Sequence, residues 1–483
     1  MDQKIANLRP ERLWHYFNEI LAIPRPSKKE EKIVEFLLKF GKKNNLETYK
    51  DEVGNVIIKK AASAGKEKAK TVVLQSHMDM VCEKNSDKIH DFENDPIIAY
   101  VDGEWVKANG TTLGADDGIG IAAQLAILES KEIEHGPLEC LFTTDEETGL
   151  TGARHLDPSL LKGKVLLNLD SEDEGQLYIG CAGGKDTTIE MPYKTEAVPE
   201  GFVNFKITVN GLKGGHSGDD IQKGLGNANK ILNRLLWMAS SKFDLKLALF
   251  DGGNLRNAIA REAYAIVCIP DNDSKNIQDF VATYFATLQN EYKITDAGIN
   301  IQIDKTDKPK FVLDQHSKDN LLNSLYACPH GVLAYSASIL DFVETSTNLA
   351  AVKFLDDFIK ITTSQRSSVE SSKIDAANMV RSTFIHSKAK IYHSDGYPGW
   401  TPNPNSEIVR LTAASYRSLF NEDPKVLAIH AGLECGLIGD IYPEMDMISF
   451  GPTIKGAHSP AERLHIESTM KFWNLLIDVL KKI

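Results

Sequence analysis

Residues 71–79 read TVVLQSHMD, and two later stretches follow the same plan: LECLFTTDEE at 138–147 and KVLLNLD at 164–170. Each is a short apolar run of buried-strand length, and each leads directly into histidine or carboxylate side chains. Between the first two, residues 116–130 are apolar nearly all round, which predicts a buried helix. Strand, helix, strand, helix in this order predicts a doubly wound α/β domain around a central sheet.

Upstream, residues 10–22 and 29–43 are amphipathic, with Leu13, Phe17, Ile20 and Leu21 on one face and Ile33, Phe36, Leu37 and Phe40 on another. A hairpin is expected around Gly54-Asn55. Downstream the pattern changes. GFVNFKITVNG alternates, placing Val203, Phe205, Ile207 and Val209 together. DLKLALFDGG, NAIAREAYAIVCI and LDDFIKITTSQ read as strands, and 221–240, 275–291 and 368–386 as helices. This is an α+β region. The Gly-, Pro- and Asn-rich loop DGYPGWTPNPNS marks its end, after which KVLAIHAG, MISFGP and a helix over 466–482 restore the α/β pattern. The expected organisation is a catalytic domain over 1–188 and 396–483, interrupted by an inserted domain over 189–395.

With 483 residues, two or three domains are expected. A net charge of −12 disfavours a nucleic-acid partner. The first residues, MDQKIANLRPERLWHYFNEI, have no signal-peptide pattern, and no apolar run approaches the length of a membrane span. The six cysteines are scattered without a CxxC pair, as in reduced cytoplasmic proteins. A cytoplasmic, non-membrane protein is expected.

His77, Asp116, Glu147, Asp170 and His458 form the candidate metal set, because ligands in open α/β sheets gather at the carboxyl ends of strands. Two imidazoles and three carboxylates suit Zn²⁺, Co²⁺ or Mn²⁺. Two such ions need a bridging ligand, for which Asp116 is the candidate. Asp79, two positions after His77, can pair with the second ring nitrogen and fix its tautomer. Glu146 is then free to act as general base. Any one of these motifs alone is more often a solvated turn; the case rests on their shared order. His458 follows only after the α+β region, which must be an insertion if His458 and Asp170 serve one metal pair.

The segments HMD, GADD, DEETG, NLD and HSPAE resemble, in order and across the whole chain, those of the co-catalytic dizinc metallopeptidases, the family of aminoacylases, glutamate carboxypeptidases and bacterial tripeptidases and dipeptidases. LQSHMDMVCEK, GADDGIGIA, TTDEETGLTGA, YPGWTPNPNS, HAGLECG and GPTIKGAHSPAERLHI look most like its aminoacyl-histidine dipeptidase branch. The resemblance implies a dipeptidase acting on free N-termini, Xaa-His included. It puts one metal on His77 and Asp170 and the other on Glu147 and His458, with Asp116 shared, and implies a cis peptide between Asp116 and Asp117. It makes the insertion a lid that also forms a homodimer. His216 in GGHSG would stabilise the oxyanion, the alternative being a glycine-rich turn with an incidental histidine. Asn257 and Arg366 would contact the substrate carboxylate, the alternative for Arg366 being a structural ion pair. Glu434 would meet the substrate amine.

GCAGGKD does not have P-loop spacing, GGHSGDD is not a nucleophile elbow, HExxH is missing, and Gly224-Leu225-Gly226 opens no dinucleotide fold. Two rivals remain. One is a deacylase or tripeptidase on the same scaffold. The other is a catalytically silent peptide-binding protein, against which the full set of ligands and Glu146 argues.

Overall fold

The computed structural model describes Ile5 and residues 7–483. The chain divides into two compact units. One comprises the chain through Gly180, Trp400–Ala428 and Leu433–Ile483; the other comprises Cys181–Gly399 and Ile429–Gly432.

The first unit is built on an eight-stranded sheet. Val72–His77 lies at its heart, parallel to Leu138–Thr143 on one side and Val165–Asn168 on the other. All three strands are buried along their whole length, as a sheet covered on both faces requires. Asp446–Ser449 continues the parallel set beside Val165–Asn168. The outer strands Glu47–Lys50 and Val56–Lys60 run antiparallel, so the sheet is mixed. The helix Ala115–Glu129 is buried nearly all round, in keeping with its sequence. A four-stranded antiparallel sheet joins Ala99–Asp102 and Trp105–Ala108 to Ile454–Lys455 and Arg463–His465. It ties the segment before Asp116 to the two strands that flank His458.

The second unit is a nine-stranded antiparallel sheet with helices Ala228–Ser240, Ser274–Glu291, Gln315–Ala327 and Glu370–Phe384. Phe205, Ile207 and Val209 enter its core and Val203 packs against it, as the alternation of that strand predicts. The α/β unit interrupted by an α+β insertion is therefore the observed fold.

The boundaries differ from those read in the sequence. The insertion begins at Cys181 rather than 189, because Gly183–Pro192 pairs along its length with Phe358–Ser367 and so belongs to the second sheet. It ends at Gly399 rather than 395, because Tyr397 and Gly184 exchange backbone hydrogen bonds of 2.9 and 3.1 Å. It also reclaims residues 429–432, where Ala182 N–H is held by Ile429 and Ala431 carbonyls. The predicted helix over 221–240 starts only at Ala228: Gly224 takes φ +66°, and the Asn227 side chain caps the helix by accepting from Lys230 N–H. The strand expected from NAIAREAYAIVCI starts at Ala263, the earlier residues forming a loop.

Candidate metal centre

Three parallel strands deliver the first candidate ligands. His77 is the last residue of its strand, in register with Thr143, and Gln75 is in register with Asn168. Glu146, Glu147 and Asp170 therefore leave the sheet at the same edge as His77. Asp116 arrives from the turn into the buried helix, where it and Asp117 hold non-helical backbone angles and the peptide joining them is cis. His458 arrives from the small sheet.

The side chains converge. His77 Nε2 lies 2.9 Å from Asp116 Oδ1 and 3.6 Å from Asp170 Oδ1. His458 Nε2 lies 3.2 Å from Asp116 Oδ2 and 3.1 Å from Glu147 Oε2. The two oxygens of Asp116 thus face different imidazoles. Two donor triads share that carboxylate: His77, Asp116 and Asp170, and Asp116, Glu147 and His458, each with its donor atoms within 4.8 Å of one another. Glu146 also falls within that distance of His77 and Glu147.

Asp79 is wholly buried, and its Oδ1 sits 3.4 Å from His77 Nδ1. That is an ion-pair contact without hydrogen-bond alignment, so Nδ1 counts as buried and unpaired. Asp79 has a second task that the sequence did not disclose. Its oxygens accept from the N–H groups of Glu146 and Glu147 at 3.0 and 3.2 Å, and from Ser27 Oγ at 2.7 Å. One carboxylate therefore orients the His77 ring and fixes the turn that carries Glu146 and Glu147.

The electrostatics describe a site crowded with negative charge. Burial, then the carboxylate of Asp116, push Asp170 up to about 7 against the pull of His77. Asp116 goes the opposite way: burial opposes ionisation, but His458 and His77 outweigh it. His458 is raised to about 11 by its contacts with Asp116 and Glu147. Burial, reinforced by Asp170, Glu434 and Glu147, raises Glu146 well above the ordinary carboxylate range despite His77. Glu147 Oε1 and Asp117 Oδ2 are buried without a partner. Buried carboxylates that compete for protons, with oxygens left over, are a donor set suited to hard or borderline divalent cations.

Glu434 is fully buried. Its Oε2 accepts from Gln75 Nε2 and Thr143 Oγ1, both at 2.6 Å, while Oε1 has no partner. Burial raises it to about 8.

The second unit carries the remaining candidates. The GGHSG turn is laced to the loop that contains Asn257: Ser217 N–H donates to the Asn257 carbonyl at 2.8 Å and Ile259 N–H to the Gly215 carbonyl at 2.9 Å. The N–H groups of Gly218 and Asp219 both point at His216 Nδ1, at 3.3 Å. Asp219 Oδ2 lies 3.4 Å from the same nitrogen, so two backbone donors and a carboxylate meet at Nδ1. The Asn257 side chain is exposed. Arg366 is only 8% exposed. Its Nη1 donates to Tyr397 Oη at 3.0 Å, its Nε has no partner, and no carboxylate lies within ion-pair distance among the described residues. The structural ion pair, one of the two sequence readings of Arg366, is not formed.

Sequence reasoning missed Tyr397, Arg25 and Glu462. Tyr397 stands in YPGW and Glu462 closes HSPAE, so both had a motif to mark them. Arg25 had none.

Residues 73–482 match the sequence profile of Peptidase family M20/M25/M40. The chain is 45% identical over 480 residues to the cytosol non-specific dipeptidase of Escherichia coli K12, covering 99% of each. The crystal structure of aminoacylhistidine dipeptidase from Vibrio alginolyticus superposes with a TM-score of 0.93 at 42% identity, covering 99% of this chain and 98% of that one. The aminopeptidase PepT of Bacillus cereus shares the fold, with a TM-score of 0.57 at 16% identity over 98% and 99% of the two chains.

Proposed function

The chain belongs to peptidase family M20/M25/M40, and on that premise we propose that it is a metal-dependent dipeptidase that hydrolyses dipeptides with a free N-terminus, Xaa-His among them. The observation that carries the metal reading is Asp116, whose two oxygens are divided between two imidazole–carboxylate triads. His77, Asp116 and Asp170 would hold one divalent cation, and Asp116, Glu147 and His458 the other, with Zn²⁺ the first choice and Co²⁺ or Mn²⁺ acceptable to the same donors. When bound, such a pair polarises the scissile carbonyl and acidifies the attacking water.

The chain's own residues do the rest. Glu146, close to His77 and Glu147, takes the proton of the attacking water and returns it to the leaving amine. Asp79 keeps His77 and the Glu146–Glu147 turn in register. His216 donates to the oxyanion. Arg366, buried without an anion, receives the substrate's terminal carboxylate, with the exposed Asn257 as a second contact. Glu434 Oε1 accepts from the substrate ammonium. We place the enzyme in the cytosol, as the name of the E. coli relative has it for that protein. Among the described residues no helix is long and apolar enough to cross a membrane. The second unit acts as lid and as the homodimer contact, so light scattering is expected to give twice the chain mass.

The test is hydrolysis by protein stripped and reloaded with Zn²⁺, Mn²⁺ or Co²⁺, using β-Ala-His, Gly-His, Leu-Leu, a tripeptide and an N-acetylated amino acid. Metal-dependent cleavage of the free dipeptides is expected. Cleavage of the acetylated substrate alone would make the protein a deacylase, and no cleavage would return it to the silent-scaffold class.

A further inference from the structure

Glu462 lies four residues after His458 and is 3% exposed. Both of its oxygens are spent on backbone. Oε2 accepts from the N–H groups of Leu113 and Gly114 at 2.7 and 2.9 Å, and Oε1 from those of Ala115 and Asp116 at 2.7 and 3.4 Å. Four consecutive donors at the start of the buried helix Ala115–Glu129 thus converge on one carboxylate, where the helix's own cap, Gly114, supplies no side chain. The turn that carries Glu462 is closed by its own hydrogen bonds. Glu462 N–H donates to the Ser459 carbonyl at 3.0 Å, and Ser459 Oγ donates to the Gly456 carbonyl at 2.7 Å.

Arg25 closes the loop from the other side. It is 2% exposed; its Nη1 donates to the carbonyls of Met78 and Asp79 at 2.9 and 2.6 Å, and its Nη2 to the carbonyl of Gly114. The Gly114 residue is gripped at its N–H by Glu462 and at its carbonyl by Arg25. Gly114 holds φ +72°, and a Cβ there would stand 2.7 Å from Arg25 Nη2, so a side chain would be strained and would displace the guanidinium. Three ligand-bearing segments are thereby locked together: the end of the His77 strand, the Asp116 turn and the His458 turn.

We propose that Glu462 is a positioning residue of the metal centre, fixing the shared carboxylate of Asp116 against the imidazole of His458 through the backbone of Leu113–Asp116. This rests on the reading of Asp116 as the bridging ligand. His77 and Asp170 are placed by central strands, whereas Asp116 and His458 are held in register by the Glu462 turn. The role of Glu462 therefore falls chiefly on the Asp116–Glu147–His458 triad. Partners behind a metal ligand typically alter metal affinity about 10- to 100-fold.

The experiment is a Co²⁺ titration of stripped protein, followed by visible absorption and calorimetry, with wild type, Glu462→Gln and Glu462→Asp in parallel. In Glu462→Gln an amide NH₂ faces N–H donors; in Glu462→Asp the charge stays but falls short of all four. Wild type is expected to take two equivalents. Glu462→Gln is expected to bind the first within about threefold of wild type and the second about 10- to 100-fold more weakly, with metal-free thermal unfolding still cooperative. Glu462→Asp is expected to fall between, and it carries the test if Glu462→Gln does not fold. Unchanged affinities in the variants, a fall in metal-free stability with unchanged affinities, or failure of both variants to fold would each overturn the positioning role. Fewer than two equivalents in wild type would overturn the metal reading itself.

Discussion

Replacing Arg366 with methionine should make the free protein more stable and the enzyme worse, and both effects follow from the same missing anion. The guanidinium is buried, holds one hydrogen bond to Tyr397 and is paired with no carboxylate among the described residues; Asp219 feels its charge but is not in ion-pair contact. A buried charge kept without a partner is costly. Methionine keeps most of the bulk and removes the charge. The loss of the Tyr397 contact costs about 1 kcal/mol, and relief of the charge is worth roughly 1–4 kcal/mol, so a net gain on the order of 1 kcal/mol is expected from denaturant unfolding. In the complex the balance reverses. Truncating one partner of a desolvated charge pair costs about 2–5 kcal/mol, or roughly 30- to 5,000-fold in kcat/KM on a dipeptide acid. The control is the same dipeptide as its C-terminal amide. Wild type should discriminate strongly against the amide, and Arg366→Met should handle acid and amide within about threefold of each other. Equal losses on acid and amide, or a stability drop of about 2 kcal/mol, would refute the reasoning and return Arg366 to a structural role.

Glu146→Gln should lower kcat by at least about 100-fold, the usual contribution of a general base, with metal content by elemental analysis unchanged; loss of metal would move Glu146 into the ligand set, which its place near His77 and Glu147 permits. His216→Ala should lower kcat about 100-fold while sparing metal binding and, to within a few-fold, KM, as expected for a donor used mainly in the transition state; an effect below about threefold would remove it from the reaction. Acid should destabilise the second unit through two histidines, the part-buried His330 and the buried His430. Burial, with Lys230, lowers His330 to about 4, and burial, with Arg366, lowers His430 to about 3, from an ordinary value of 6.5. Between those values the unfolded chain binds protons that the folded chain does not, so stability is lost as pH falls below 6.5, roughly 2 kcal/mol for each histidine by pH 5. His330→Gln keeps an acceptor for Leu349 N–H and should reduce the loss between pH 7 and pH 5 by about that amount, and an unaltered pH dependence in urea melts would contradict the assignment.

The sequence by itself determined the sheet that carries the site. A buried parallel strand needs a run such as VVLQS or VLLN, and a residue placed at its end has only one edge of the sheet to occupy. The exit of His77, Glu146, Glu147 and Asp170 at one edge was therefore local information, as were the buried helix after Asp116 and the change to alternating strands after residue 200. Where the reading went astray, a local conformation overrode the apolar period: Gly224 and Asn227 delayed a helix, and Gly183–Pro192 was missed as a strand of the second sheet. Only the tertiary structure decided what stands behind the candidate ligands. Glu462 reaches the Asp116 turn from 346 residues away, and Arg25 reaches Gly114 from 89. Asp79 turned out to hold the Glu146–Glu147 backbone as well as the His77 ring, and Arg366 turned out to have no ion pair. Backbone N–H and carbonyl groups of loops carry no side-chain signature, and a charge's partner depends on which distant segments fold against it. That is why the candidate ligands could be picked out from residue type and position, and the groups behind them could not.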